Sequence, residues 1–402
     1  MVVNFTLRIL IMFKIAKWFN NFQAPAVLMI DDLSDSYIEV YNESYRNDWG
    51  YLCDSNGSSY HFLHKELLDS YPDIKITFFV PHLKHNVINN NSQYKFKKFN
   101  LGERQIYTDF LVKLDKQGHE IAHHGSNHGE YIDESIHSTV NNWKHEWELF
   151  DDINTGVDIT LNGVKRFKNI CNIDVVGGKY CGYLTIDNSQ TIIDKCNFLY
   201  WCDKINLLER DYNESFFGEN NIISFPTNYL GNSFVRLSYK TGNKKRDKIK
   251  NILKYFQPFY NILSYIQLYR LYKQKYIISI QEHSSPSTSA GTVQAPNIVT
   301  DIESLNKIFK FLKRFSIWYA TCKEIGKYIY VRENSKIIVK NNEMVINFNN
   351  YKNINDSMIS IINEKVFKIE NNNQNFSSQK YNGLYVVNLP IVNGENIFKI
   401  AF

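Results

Sequence analysis

The chain reads as an α/β protein, a barrel of parallel strands followed by a small all-β domain, within 402 residues. Three observations predict this. Short apolar runs recur near residues 26–30, 76–80, 119–123, 174–176, 198–202, 222–225 and 276–280. Helical patterns such as Ser59–Ser70, Glu103–Lys116 and Glu134–Asp151 fall between most of them, which is the signature of repeated strand-helix units. After about residue 330 the pattern changes to alternating segments separated by Asn-rich turns, including Lys336–Lys340, Met344–Phe348 and Leu384–Asn388, as antiparallel strands would give.

The first run, Ala26–Ile30, is unbroken and apolar, hence a strand covered on both faces, and it stops at Asp31-Asp32. Two adjacent carboxylates repel unless a cation or a proton neutralises one of them. A single Asp-Asp at a strand end is also an ordinary solvated turn. The third run opens at a Gly-His turn and leads into His123-His124-Gly125-Ser126-Asn127-His128. His124 and His128 stand four apart, so a chain that coils after the strand lets both imidazoles reach one divalent cation. One acid near such a cation can ligate while its neighbour handles protons. His283 ends the run Ile277–Ile280, where a lone histidine is often a hydrogen-bonded structural group. His119 and His123 fall outside the four-residue spacing; His119 fits the turn and His123 the mouth of the site, with His82 a weaker substrate contact after its strand.

These motifs, in this order, resemble the polysaccharide deacetylases with a NodB-homology domain, carbohydrate esterase family four. Met29-Ile30-Asp31-Asp32 is similar to the family's first motif, Gly118 to His128 to its second, Ile76–Val80 to its second strand, and Ile277 to His283 to its last motif. The resemblance spans about residues 24 to 328. It implies a distorted seven-stranded (β/α) parallel barrel, NodB-like, over 24–330; the residue patterns outside it read as an amphipathic leader at 1–23 and a small β-rich accessory domain at 331–402. It implies Asp31 as general base, His283 as general acid, and Asp32, His124 and His128 as ligands of one divalent metal ion, zinc above all. Motif three departs from the family: where Arg-x-Pro-Tyr is usual, this chain has Gly178-Lys179-Tyr180-Cys181-Gly182-Tyr183. Lys179 then stands for the arginine that orients the base, as a point charge without a planar fork. The oxyanion-stabilising N–H falls to Tyr183 or, in another register, Tyr180. Trp201 resembles the motif-four tryptophan and is expected to wall the acetyl pocket or pack on His283.

The implied activity is removal of acetyl groups from an N-acetylated sugar or polysaccharide, a C–N hydrolase. A non-catalytic carbohydrate-binding module and an O-acetyl esterase remain alternatives. Asp31, Asp32, His124, Lys179 and His283 all fall at carboxyl ends of predicted strands, where barrel enzymes gather their chemistry.

Charge bounds the partners. A net charge of +5 with 22% charged residues lacks the dense Lys/Arg clusters of nucleic-acid grooves, so nucleic acid is not expected. Residues 244–275 are rich in Lys and Tyr and interrupted by Pro258. They read either as an insertion packed on the barrel or as a lid or membrane-surface contact. The six cysteines, Cys53, Cys171, Cys181, Cys196, Cys202 and Cys322, show no metal-site or disulfide-framework spacing, which points to a reducing compartment. Phe5–Ala16 is apolar but broken by Arg8 and Lys14, too short to span a bilayer and without a clean cleavage site, so an amphipathic leader helix, or a start at Met12, is favoured over a signal peptide. A cytoplasmic, membrane-associated enzyme acting on a nucleotide- or lipid-linked N-acetyl sugar is the resulting expectation.

Overall fold

The computed structural model describes residues 13–38, 59–84, 96–133, 142–205, 215–237, 244–284, 288–289, 292–293, 295–340, 342–371 and 374–401. It divides into two units: Ala24–Lys323, and the residues up to Gln23 together with Glu324–Phe402.

The larger unit is built on a ten-stranded sheet. Its strands are β1 (Ala24–Asp31), β2 (Ile76–Val80), β3 (Glu120–His123), β4 (Gly177–Lys179), β5 (Tyr200–Ile205), β6 (Ser215–Phe217), β7 (Ile222–Thr227), β8 (Tyr229–Leu230), β9 (Ile278–His283) and β10 (Ile317–Tyr319). The hydrogen-bonded order is β6-β7-β5-β4-β3-β2-β1-β9-β8, with β10 added to β1. All pairs are parallel except β6 with β7. β1 and β2 are buried along their whole length, as expected of strands covered on both faces. The helices α1 (Ser59–Leu63), α2 (Gln105–Lys116), α3 (Ile153–Cys171), α4 (Ser189–Lys195), α5 (Lys244–Leu253), α6 (Gln257–Lys273) and α7 (Ile298–Leu312) lie between the strands in sequence. A further helix, α8 (Cys322–Glu333), spans the boundary between the units.

The sequence expectation differs from this in three places. The strand expected at 174–176 sits instead at Gly177–Lys179. The rings of Tyr200 and Trp201 lie where a Cβ on Gly177 or Gly178 would be, 2.1 and 2.4 Å away, so only glycine fits the strand there. The helix expected over Glu134–Asp151 is absent from its described part: Trp143–His145 is a short strand and Glu146–Leu149 a 3-10 turn, while residues 134–141 lie outside the described residues. The helix is α3, opened by Asp152, whose carboxylate accepts from the amides of Asn154 and Thr155. Ten strands also stand where seven were expected, the additions being the short β6, β8 and β10.

The second unit holds two antiparallel sheets. One runs β11 (Ser335–Lys340), β12 (Glu343–Phe348), β18 (Gly394–Ala401), β14 (Lys368–Asn371), β15 (Gln374–Ser377), and the other contains β13 (Met358–Asn363), β17 (Leu384–Pro390) and β16 (Gln379–Tyr381). The latter is completed by the strand Lys14–Ile15, which pairs with Ile361 and Ile362. Residues 13–23 therefore belong to this unit, and the leader helix expected over Phe5–Ala16 is strand at Lys14–Ile15; residues 5–12 lie outside the described residues. Among the described residues, no helix is long and apolar enough to cross a membrane.

Candidate metal centre and its acid pair

The carboxyl ends of β1, β3, β4 and β9 converge. β1 and β9 pair in register so that His283 lies opposite Asp31 and Gln281 opposite Met29. Successive residues alternate faces, so Asp31, Gln281 and His283 share one side of the sheet. Asp32 follows in the left-handed region, φ 64°.

Asp32 Oδ1 lies 3.3 Å from His124 Nε2 and 3.3 Å from His128 Nε2. A charge-assisted N–H···O bond closes to about 2.7–2.9 Å. Two ligand atoms at about 2.1 Å from a tetrahedral cation lie about 3.3 Å apart. The spacing fits ligands that could share a cation, and two imidazoles with one carboxylate are a donor set that suits zinc. His124 Nδ1 faces the backbone oxygen of Lys179 at 3.2 Å, which leaves Nε2 as the atom that could ligate. Burial works to lower the pKa of His124, but its bond to Asp32 and the charges of Asp31 and Asp32 outweigh it and hold the imidazole above its ordinary value.

A second trio, His124, His128 and Cys181, brings one ligand atom each within 4.8 Å of the others. The Cys181 thiol donates to the carbonyl of His124 at 3.3 Å, and burial, then the charges of Glu146, Asp32 and Asp31, push its pKa well up. A neutral thiol already spent on a carbonyl is a poorer ligand than the carboxylate of Asp32. Asp32, equidistant from both histidine nitrogens, is the better candidate for the third ligand.

Loop 125–128 is not a continuing helix. Gly125 and His128 both adopt positive φ, 72° and 71°, and the turn is held from inside by Glu146. Its carboxylate accepts from the amides of Ser126, Asn127 and His128, at 2.6, 3.1 and 3.2 Å to Oε2, and from the Ser126 hydroxyl at 2.6 Å to Oε1. Burial raises the pKa of Glu146, and these donors work against that rise.

Asp31, beside the tripod of Asp32, His124 and His128, makes a separate set of bonds. Lys179 Nζ donates to Asp31 Oδ1 at 2.9 Å, and Gln281 Nε2 donates to Asp31 Oδ2 at 2.6 Å. Lys179 also donates to Gln281 Oε1, as does the Tyr183 hydroxyl at 3.1 Å. The ammonium lies 4.9 and 5.0 Å over the rings of Phe79 and Tyr183 and is fully buried. Each oxygen of Asp31 thus accepts one bond and retains a second lone pair. His283 Nδ1 lies 2.6 Å from the carbonyl of Pro296, which accepts only, so the Nδ1 proton is held there and Nε2 is left toward the site, 4.0 Å from Asp32 Oδ2.

Several expected roles change. Tyr183 donates its amide to the carbonyl of Tyr180 at 3.2 Å, closing a turn, so its contribution is the hydroxyl and not an oxyanion-directed N–H. Tyr180 is buried against Trp147 and Trp201. Trp201 is wholly buried among Phe198, Tyr180, Trp147 and His123, so it supports the core and walls no open pocket. His123 and His82 are buried as well: His123 Nδ1 accepts from the Gly125 amide and His82 Nδ1 meets the Gly125 carbonyl at 3.1 Å, so both brace the loop from behind. His119 Nδ1 accepts from the Ile76 amide at the turn. Gln281, Glu146 and Cys181 join the site beyond the residues to which the sequence motifs give a role. Gln281 carried a signal, a polar residue at alternate spacing before His283 in an apolar strand.

The carboxyl end of the parallel α/β sheet thus carries a carboxylate pair beside two histidines four residues apart. No family model matches the sequence, and no curated protein matches it. Solved structures do match, several of them polysaccharide deacetylases. A deacetylase of that description from Mycobacterium smegmatis is 14% identical, with 81% of this chain and 97% of that one covered at a TM-score of 0.44. One from Pseudomonas aeruginosa is 12% identical, covering 78% and 93% at 0.41. A family 4 acetyl xylan esterase from Clostridium thermocellum, in complex with cobalt, is 11% identical, covering 75% and 90% at 0.35.

Proposed function

We propose that the protein is a metal-dependent hydrolase that removes acetyl groups from an acetylated carbohydrate, with N-acetyl sugars as its substrates. One observation carries the reading: Asp32 Oδ1 is equally spaced, at 3.3 Å, from the two histidine nitrogens, while the neighbouring acid, Asp31, is held apart by Lys179 and Gln281. Asp32, His124 and His128 are the residues that would hold a divalent cation, zinc by their donor set. When bound there, such an ion supplies Lewis-acid polarisation of a carbonyl and water acidified to a pKa of about 7.

The chain's own groups divide the remaining work. Asp31, oriented by two donors, accepts a proton from the attacking water on its free lone pairs. His283, with Nδ1 fixed on Pro296, presents Nε2 to donate a proton to the departing nitrogen, which leaves poorly as an anion. The carbohydrate half of the reading rests on the motif resemblance of Asp31-Asp32, His124 to His128 and His283. We take the parallel sheet to be the barrel of that family, distorted at its short strands.

The test is metal content of the purified full chain, followed by acetate release from a panel of N- and O-acetylated sugars. About one cation per chain with acetate from N-acetyl substrates is expected. Acetate from O-acetyl substrates alone makes it an esterase. Bound metal without acetate from any substrate sinks the hydrolase.

A further inference from the structure

The segment that joins β8 to β9 carries an apolar surface that the catalytic reading does not use. Of the 21 large hydrophobic residues exposed on the described surface, ten fall between Ile249 and Tyr269. They are Ile249 and Ile252 of α5, then Tyr255 and Phe256, then Phe259, Tyr260, Ile262, Leu263, Ile266 and Tyr269 of α6, each between 42% and 79% exposed. Phe259, Ile262, Ile266 and Tyr269 follow one another at three- and four-residue steps, a continuous stripe along one side of α6, with Tyr255 exposed in the turn just before it. Leu268 and Leu271 are buried on the other side, with Tyr265 and Tyr272 packed on the core. A surface helix normally turns polar residues outward; one that is apolar on both faces has a second apolar partner.

The charge of the same segment says what kind. Residues 244–273 contain eight Lys or Arg and a single acid, Asp247, a net charge of +7 where the whole chain carries +5. Two copies of such a surface repel each other, and an anionic sheet of phospholipid attracts both its charge and its aromatic stripe. α6 has 17 residues, about 25 Å of helix, so it suits lying in the interface and not crossing it.

We infer that α5 and α6 form an interfacial anchor that binds the face of an anionic lipid bilayer. The bonds of α6 set its place: Ser264 accepts from the Tyr229 hydroxyl through its carbonyl at 3.2 Å and donates to the Ser233 carbonyl at 3.3 Å. The middle of α6 is thereby level with the carboxyl end of β8, the sheet edge where Asp31, His124 and His283 also stand. The anchor does not depend on the hydrolase reading, and its test has no activity in it.

The full-length chain is spun with vesicles of phosphatidylcholine alone and with vesicles in which about a third of the lipid is phosphatidylglycerol. The protein pellets with the anionic vesicles, and binding weakens as salt rises. The triple variant Phe259→Glu, Ile262→Glu, Ile266→Glu, at exposed positions, loses about tenfold or more in partition with an unchanged far-ultraviolet spectrum. A milder pair, Lys248→Gln with Lys254→Gln, weakens binding without touching the apolar stripe. Protein that stays in the supernatant with both vesicles overturns the anchor. So does equal binding to neutral vesicles, a triple variant that binds as wild type does, or a soluble dimer that the triple variant abolishes.

Discussion

Lys179 Nζ reaches Asp31 Oδ1 at 2.9 Å with both side chains withdrawn from solvent. A lone buried ammonium and a lone buried carboxylate are each costly, and together they are tolerable because Gln281 and Tyr183 complete the set. Lys179→Met leaves the Asp31 carboxylate buried without its cation and without one of the two donors that orient it, which costs on the order of 3–5 kcal/mol in stability. Acetate release should fall by about a hundredfold or more. Lys179→Arg should also lose activity, because a planar fork has to fit between the rings of Phe79 and Tyr183. Thermal unfolding and acetate release on the two variants check this; full activity in Lys179→Met would contradict it.

The tripod predicts a pH-dependent affinity for metal. His124 has to give up its proton to ligate, and Asp32 and Asp31 hold that proton on more tightly than an ordinary imidazole would, against the lowering effect of burial. Uptake of zinc should therefore release protons and weaken as the pH falls, and do so from a higher pH than for an ordinary imidazole. Asp32→Ala, His124→Ala and His128→Ala should each drop the bound metal from about one per chain to near zero. Cys181→Ser should retain it. Elemental analysis after dialysis separates the carboxylate tripod from one completed by Cys181, since the two readings exchange the outcomes of Asp32→Ala and Cys181→Ser.

What the sequence revealed and what it concealed have physical reasons. β1 and β2 were visible because strands covered on both faces are unbroken apolar runs, and Asp31 and Asp32 were conspicuous at the end of one. His124 and His128 were found by spacing alone, although the turn that joins them is built by Glu146 and not by a helix. Glu146 lies 18 to 20 residues from the amides it binds, so no local pattern exposes it. The buried face of α3 is Gly156, Thr160, Gly163, Phe167 and Cys171, in which Phe167 is the one large apolar side chain, so the face carries little bulk to mark it as core. At Gly163 a Cβ would stand 2.6 Å from His82 and His123, so the missing side chain makes room for the histidines behind the metal loop.

Glu146 makes a prediction of its own. It touches neither the reacting groups nor the ligand nitrogens, yet it fixes the backbone that presents His128. Glu146→Gln keeps the volume but turns one acceptor oxygen into an NH₂ facing amide donors. Metal affinity should drop about 10- to 100-fold, as for other residues that orient ligands. Acetate release at saturating zinc should recover most of the wild-type rate, which a group taking part in the chemistry would not allow. A zinc titration followed by rate measurements distinguishes positioning from catalysis.

Glu120, inside the sheet, makes stability depend on pH in the direction opposite to most acids. It accepts from the Thr77 hydroxyl and the Lys323 amide on one oxygen, at 2.9 and 2.8 Å, and shares a hydrogen bond with the Tyr200 hydroxyl on the other at 2.8 Å. Burial raises its pKa from 4.5 to about 7, more than these donors lower it. The folded state therefore holds the proton more tightly than the unfolded chain does. Its stabilising contribution is complete below pH 4.5 and is lost as the pH climbs through about 7. Glu120→Gln mimics the protonated acid, with its oxygen toward Thr77 and Lys323 and its NH₂ donating to Tyr200. The variant and the wild type should be alike near pH 4.5 and diverge above it, the variant becoming more stable by up to about 3 kcal/mol above pH 7. Urea unfolding of both proteins across that window is the measurement, and a wild type that gains on the variant as pH rises would show that the carboxylate is the form the fold prefers.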